Sequence, residues 1–478
     1  MKGHAMAVTP PLRYIHIDDY SPVGIDNGPD DVAFANARAD LASYDYQRIE
    51  GHVMNLLRNA GLAASVILML DYPAGATTPS ESVLYSFKGD KNGSFPYAPL
   101  ISDAKGTFYG TTTGFHSKTK NACGNAFQLD PPKSSGKPWG YQILHSFTRG
   151  KSDGCNPWAG VVKDPSGTLY GTTQNGGAYY PNGGTVFALT PPAAGSKDWT
   201  ESIVHSFLGG GPTGSLIIGH DGVLYGTTNT GGSDSDAGSV FALTPPAKGQ
   251  TSWAATTLYA FQGGADGNGP TAGLVEGSNG ALYGTTYYGG TGTDCSGGKG
   301  CGTAFELTPP AADQTAWTET ILYTFTGAAD GGNPYAGLIL DKSGALYGVT
   351  VYGGLGVGVA FKLTPPAAGQ TVWTESVLHT FEGNQDGAGP YGNLILDTSG
   401  ALYGTTLGGG NGFGTAFKLT PPSGGQADWT ESQLFSFSGG VDGRFPYGGL
   451  VFDKANNLFG TTSEGGANDF GTVFEITP

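Results

Sequence analysis

From residue 81 onward, apolar and polar positions are arranged in runs of six to nine residues bounded by glycine, proline or aspartate. That pattern predicts short strands joined by tight turns. One full period reads "PYAGLILDKSGALYGVTVYGGLGVGVAFKLTPPAAGQTVWTESVLHTF" (334–381). Segment a, "AGLILD" (336–341), is apolar on both faces, as a strand buried on both sides would be. Segment b, "ALYGVT" (345–350), follows "KSG", a hairpin turn in which Gly344 is free to take positive φ. Segment c is "VAFKLT" (359–364), and segment d is "WTESVLHTF" (373–381), where Val377, His379 and Phe381 alternate with Ser376, Leu378 and Thr380.

The period recurs. Near copies of "LYGTT" place a glycine at Gly110, Gly171, Gly226, Gly284, Gly348, Gly404 and Gly460, at intervals of 61, 55, 58, 64, 56 and 56 residues. Four strands in each of seven units, with no helical pattern between them, predict an all-β fold, a seven-bladed β-propeller with four strands per blade over residues 81–478. The ends give the phase. The last copy stops after its c segment, "GTVFEITP" (471–478), and the first repeat element is a lone d segment, "ESVLYSF" (81–87). The N-terminal strand 81–87 is therefore expected to complete the last blade and close the ring, which leaves no exposed edge to invite association. A monomer is expected.

Composition agrees with many turns: 83 Gly and 30 Pro, with only 13% charged residues. The formal net charge of −16 and the lack of a basic stripe argue against nucleic acid. No apolar run approaches the ~20 residues of a spanning helix. The tryptophans that open the d segments (Trp139, Trp199, Trp253, Trp317, Trp373, Trp429) are expected to pack between blades, and the "TPP" runs to end strand c. His145, His205 and His379 have no carboxylate beside them in sequence and are read as packing residues.

The pattern "GL-x-x-D-x-x-G-x-LYGTT-x-x-GG…GT-x-F-x-LTPP…W-T-E-S-x-L-H-x-F" resembles the Gloeobacter/Verrucomicrobium-type (GloVer) tandem repeat family over about 400 residues. The resemblance implies a secreted bacterial propeller. It implies no reaction and no catalytic residues.

Residues 1–80 lie outside the repeat, as an N-terminal extension. Ile49, Val53, Leu56, Leu57 and Ala60 would share one helical face ahead of Gly61. Alternatively, residues 54–76 form a leader, with "MNLLRN", an apolar "AGLAASVILML" and a small-residue cleavage site ending at Ala76. The four cysteines favour export, to the periplasm or the extracellular space: Cys295 and Cys301 share one loop, and Cys123 and Cys155 lie on loops at the same end of neighbouring blades, so disulfides 295–301 and 123–155 are expected. A zinc site is not indicated.

If strand a runs downward, the b–c and d–a loops share an upper face. The b–c loops vary most, which is where binding usually lives on a rigid scaffold. After each d–a loop proline stand Tyr97, Trp158, Thr213, Thr271, Tyr335, Tyr391 and Tyr447, so five aromatics are expected round the channel mouth, either stacking on sugar rings or packing between blades. Asp153, Asp266, Asp330, Asp386 and Asp442 recur in "DG" pairs, with Asn92 in the first copy; they are read as turn organisers, with calcium as the alternative and no other cofactor. Two functions follow. The first is an extracellular binding module for carbohydrate or another surface polymer, contacting it through Tyr97, Trp158, Tyr335, Tyr391 and Tyr447. The second is a secreted carbohydrate-active enzyme, a glycoside hydrolase or lyase, with acids from Asp234, Asp236, Asp294, Glu464 or Asp469 and a base from His116, Lys118 or Tyr180.

Overall fold

The structure, a computed structural model, describes residues 79–114, 123–181, 183–232, 234–424 and 428–478. The helix and leader expected before Ala76 lie outside the described residues, as do His116 and Lys118.

Seven four-stranded antiparallel sheets form the blades of a β-propeller, and no α-helix occurs among the described residues. In blade 5 the strands are Ile339–Leu340 (a), Leu346–Thr350 (b), Val359–Thr364 (c) and Thr374–Thr380 (d). Blade 7 takes Val451–Phe452, Leu458–Thr462 and Thr472–Thr477 from the C-terminal part and Ser80–Ser86 from the N-terminal part, in register from Ser80 opposite Thr477 to Ser86 opposite Thr472. Blade 7 then meets blade 1 through Phe459 and Phe108, ring centroids 4.6 Å apart.

The pentapeptide of strand b explains itself residue by residue. Its leucine is core: Leu346 is fully buried. Its tyrosine reaches the lower edge, where Tyr347 donates its hydroxyl to Asp341 at 3.0 Å and Tyr403 donates to Asp397 at 3.1 Å. Its glycine makes room for a neighbouring ring, since a Cβ on Gly348 would fall 2.6 Å from Phe361 Cζ and one on Gly404 2.6 Å from Phe417 Cζ. Its first threonine ties each blade to the next. Thr111 donates to the Ala159 carbonyl, Thr172 to Gly214, Thr227 to Ala272, Thr285 to Ala336, Thr405 to Gly448 and Thr461 to Ala98, at 2.8–3.3 Å. Blade 5 has Val349 at this position. The second threonine works within the blade, bonding strand c at Thr173–Thr185, Thr286–Thr303 and Thr406–Thr415.

Aromatic contacts repeat the circuit outside this one. The phenylalanine after each d strand meets the strand-c phenylalanine of the next blade at 4.9–5.3 Å, from Phe87–Phe127 round to Phe437–Phe474. Five of the tryptophans pack on the strand-b tyrosine of the preceding blade, as Trp373 does on Tyr283 and Trp429 on Tyr347. Such edge-to-face pairs each add roughly 0.5–1.5 kcal/mol beyond the area they bury.

Three expectations need correction. Strand a is two residues, not six. The residues before it turn in to the ring axis, where Gly337 N–H bonds Asn393 Oδ1 of the next blade, and a Cβ on Gly337 would lie 3.0 Å from the Gly273 carbonyl of the previous one. Seven such segments crowd one another and bond across blades, so they leave the ladder. The alternation in strand d is also interrupted: the register shifts between Ala360 and Phe361, which pair with His379 and Val377. This bulge leaves Val377 37% exposed while Leu378 and Phe381 are buried. Finally, two of the histidines do have carboxylate partners. His145 Nε2 lies 3.2 Å from Asp153 and His379 Nε2 3.2 Å from Asp386. Only His205, edge-on to Phe207, is a packing residue of the expected kind, and burial lowers its pKa.

Candidate functional site

The upper face is built by pairing two kinds of loop. The d–a loop entering a blade bridges to that blade's b–c loop, at Gly332–Tyr352, Ala388–Gly408 and Arg444–Glu464, and as a two-residue ladder at Gly154–Cys155 with Asn175–Gly176. The residue before the loop proline then donates its N–H to the end of the previous b–c loop: Asn156 to the Cys123 carbonyl, Asn333 to Cys301, Phe445 to Phe413 and Phe95 to Phe470. These four residues take φ of 56–58°, the left-handed region that non-glycine residues seldom occupy. The bend directs the residue after the proline towards the ring axis.

Both expected disulfides are present. Cys123–Cys155 joins the upper loops of blades 1 and 2, and Cys295–Cys301 closes a small ring inside the b–c loop of blade 4. The "DG" aspartates organise turns. Asp330 accepts the Thr326 N–H at 2.9 Å and the Tyr323 hydroxyl at 3.0 Å, and Asp442 accepts the Ser438 N–H and hydroxyl, each at 2.6 Å. Asp153 likewise accepts from Thr148 N–H and hydroxyl and from Gly154 N–H, so its oxygens already have donors; Glu201 stands beside it and His145, the three within 4.8 Å of one another.

The five aromatics do converge at the channel mouth, and they pack against one another, edge to face or tilted. Ring centroids lie 4.6 Å apart for Tyr97–Trp158, 5.2 Å for Tyr97–Tyr447, 4.7 Å for Tyr391–Tyr447 and 5.2 Å for Tyr335–Tyr391. Tyr335 of blade 5 reaches Tyr447 of blade 7, ring centroids 5.8 Å apart. Burial raises the pKa of both phenols. The cavity left among Tyr97, Trp158, Thr213, Thr271, Tyr335 and Tyr447 is about 70 Å³, enough for a few waters. Below it an apolar cavity of about 200 Å³ lies between Pro99, Ile101, Val162, Ile217, Leu274 and Leu338, with Asn393. The aromatic ring is thus a plug that closes the channel.

The plug is uneven. Blades 3 and 4 contribute Thr213 and Thr271, which bond the Thr271 and Tyr335 carbonyls at 3.5 and 3.4 Å. Beside this gap Trp158 donates its indole N–H to Gln174 Oε1 at 2.8 Å, and Asn156 donates to Asn175. Gln174 begins the b–c loop of blade 2, which packs against the loop 208–213: Gly184 lies against Gly211, and Ala178 N–H bonds the Ser206 hydroxyl. At its outer end Tyr179 is 48% exposed, Tyr180 36% and Leu208 76%. Loops 174–184 and 208–215 contain no charged residue. Sequence reasoning missed Gln174, Tyr179 and Leu208; the absence of charge in those two loops was the available signal.

The acids proposed for catalysis are dispersed. Asp234 and Asp236 are on blade 3, where Asp236 accepts the Gly231 N–H, and Asp294 is on blade 4, accepting the Thr293 hydroxyl. Glu464 and Asp469 are on blade 7 and do approach each other, but Arg444 lies between them with Nη2 2.9 Å from each. The guanidinium also covers Phe445. This is a clamp between the d–a and b–c loops.

Among solved structures, the fold is similar to a crystal structure of glucose dehydrogenase (14% identity, TM-score 0.41, covering 84% of this chain and 99% of that one). It is also similar to the soluble aldose sugar dehydrogenase of Escherichia coli in its apo form (14%, 0.41, covering 84% and 100%) and to a chain of a nidogen/laminin complex (15%, 0.35, covering 59% and 83%). At this level the likeness is one of fold alone. No curated protein matches the chain. The sequence model of the Gloeobacter/Verrucomicrobia repeat matches residues 65–297 and 291–478, and the chain belongs to that family.

Proposed function

We propose that the protein is an exported binding propeller that recognises an uncharged carbohydrate, or a similar surface polymer, across the upper face where blade 2 meets blade 3. The observation that carries this reading is the pair of packed loops 174–184 and 208–215, free of charged residues, with Trp158 bonded to Gln174 at one end and Tyr179, Tyr180 and Leu208 exposed at the other. Aromatic faces beside amide and hydroxyl groups are the chemistry that holds a sugar ring. Of the five aromatics first considered, Trp158 borders the open side, while Tyr97, Tyr335, Tyr391 and Tyr447 serve as the rigid floor. The two disulfides support an oxidising, extracellular or periplasmic setting. No cofactor enters this reading.

The test is to incubate the full chain with insoluble polysaccharides of neutral and acidic type and to analyse the supernatant by mass spectrometry for protein and for released oligosaccharide. Depletion by neutral polymers without products is expected, and W158A and Y179A/Y180A should each weaken retention about tenfold. New oligosaccharides that vanish in D294N or E464Q would establish the enzyme reading instead.

A further inference from the structure

We propose that the junctions between blades are proton-dependent clasps, in which a half-buried glutamic acid of one blade faces a turn-organising aspartate of the preceding one, so that the ring is tighter on the acid side of neutrality. The two residues occur together. Glu81, Glu201, Glu319, Glu375 and Glu431, each second in its d strand, face Asp442, Asp153, Asp266, Asp330 and Asp386 respectively. The two blades without the glutamate also lack the aspartate: Tyr141 donates to the Asn92 carbonyl in blade 1, and Ala255 follows the glycine run 209–211 in blade 3. A residue kept for its turn alone would not follow the identity of a side chain on another strand.

The geometry shows why a proton is needed. In all five glutamates Oε1 is buried and has no hydrogen-bond partner. Across the sheet each pairs with an apolar strand-c residue, Ile476, Leu189, Leu307, Leu363 or Leu419, which supplies no charge. On the facing element Asp153, Asp266, Asp330 and Asp442 each accept two or more N–H or O–H groups, as Asp266 does from Gln262 and Tyr259, while Asp386 accepts the Glu382 N–H beside His379 and keeps a buried Oδ1 with no partner. An ionised glutamate would place a second negative charge beside that aspartate with nothing to stabilise it, whereas the acid form removes the charge. Desolvation first, and the facing aspartate second, push each glutamate up to about 7. Glu201 is raised to about 7 as well, by desolvation and Asp153, with His145 acting against them.

The sign follows from linkage. An unfolded glutamic acid loses its proton near 4.5 and the folded one near 7, so the folded chain binds more protons in between. The stabilisation is complete below about pH 4.5 and is lost as pH rises through 7. The test is thermal unfolding of the full chain between pH 5 and 8, for wild type and for E81Q/E319Q/E375Q/E431Q, in which the amide keeps the shape of the acid form and cannot ionise. Wild type should lose about 5 °C over this range more than the variant does, and the variant should melt higher at pH 8. Should the fourfold variant not fold, E375Q alone must show the same sign at about a quarter of the size. Infrared spectra at pH 6 should show protonated carboxyl groups that the variants lack. Equal pH dependence in wild type and variants, or absence of the carboxyl signal, would overturn the proposal.

Discussion

The lower edge of the propeller is written almost the same way in each blade, and the upper edge is written seven ways. Below, the a–b turn centres on an aspartate that accepts backbone N–H groups two and four residues on and the strand-b tyrosine hydroxyl, as Asp341 does from Ser343, Ala345 and Tyr347. Above, the b–c loops run from the eight residues of 351–358 to the sixteen of 287–302, one carrying a disulfide and another an arginine clamp. The difference follows from what each edge touches. Strand b and the turn below it are locked into neighbouring blades by space and by hydroxyl ties, so a change there is transmitted round the ring. An upper loop bonds its own blade and the end of one neighbouring loop, and its tip faces water. The molecule separates a part that cannot vary from a part that is free to.

Substitutions can test that separation. The largest effect is expected in strand b: G404A would set a Cβ 2.6 Å from Phe417 Cζ and 2.9 Å from Leu394 Cδ2, and should cost about 3 kcal/mol, measured by chemical denaturation. Next, T405V leaves the buried Gly448 carbonyl without its donor and should cost roughly 1–3 kcal/mol, while the reverse change V349T, which supplies blade 5 with the tie the others have, should gain about 1 kcal/mol. A loss from V349T would show that blade 5 is built differently at that junction. The smallest effect is expected at the top, where L355S, at a residue 69% exposed, should change stability by less than about 0.5 kcal/mol. A larger loss would mean that the upper loops share in holding the ring.

Strands b, c and d were legible because each is a local run with its own period and stops, and the phase was legible because the orphan strand 81–87 and the unfinished last unit complement one another. The disulfides followed from placing loops on a common face. What could not be read was set by distances between blades. Strand a looked six residues long because nothing in "AGLILD" tells how close the neighbouring segment comes at the axis. The bulge beside Val377 and the contacts of His145 and His379 with aspartates seven or eight residues on depend on how the chain turns after strand d. The channel aromatics were found by position, but their packing against one another is a property of the ring's diameter. The site between blades 2 and 3 is legible only once that plug is known, since it lies where two threonines leave the ring of aromatics incomplete.

The closing strand has a mechanical consequence. Because Ser80 lies opposite Thr477 in an antiparallel pair, tension applied at those two ends pulls across the ladder and loads one rung at a time. The ring therefore opens like a zip, at low force and from a defined end. Tension applied between two lower-edge turns on opposite sides of the ring meets several blade junctions at once, each with its hydroxyl tie and its pair of rings, and the same molecule should be far stiffer in that direction. Direction of load, more than its size, decides whether this propeller stays closed.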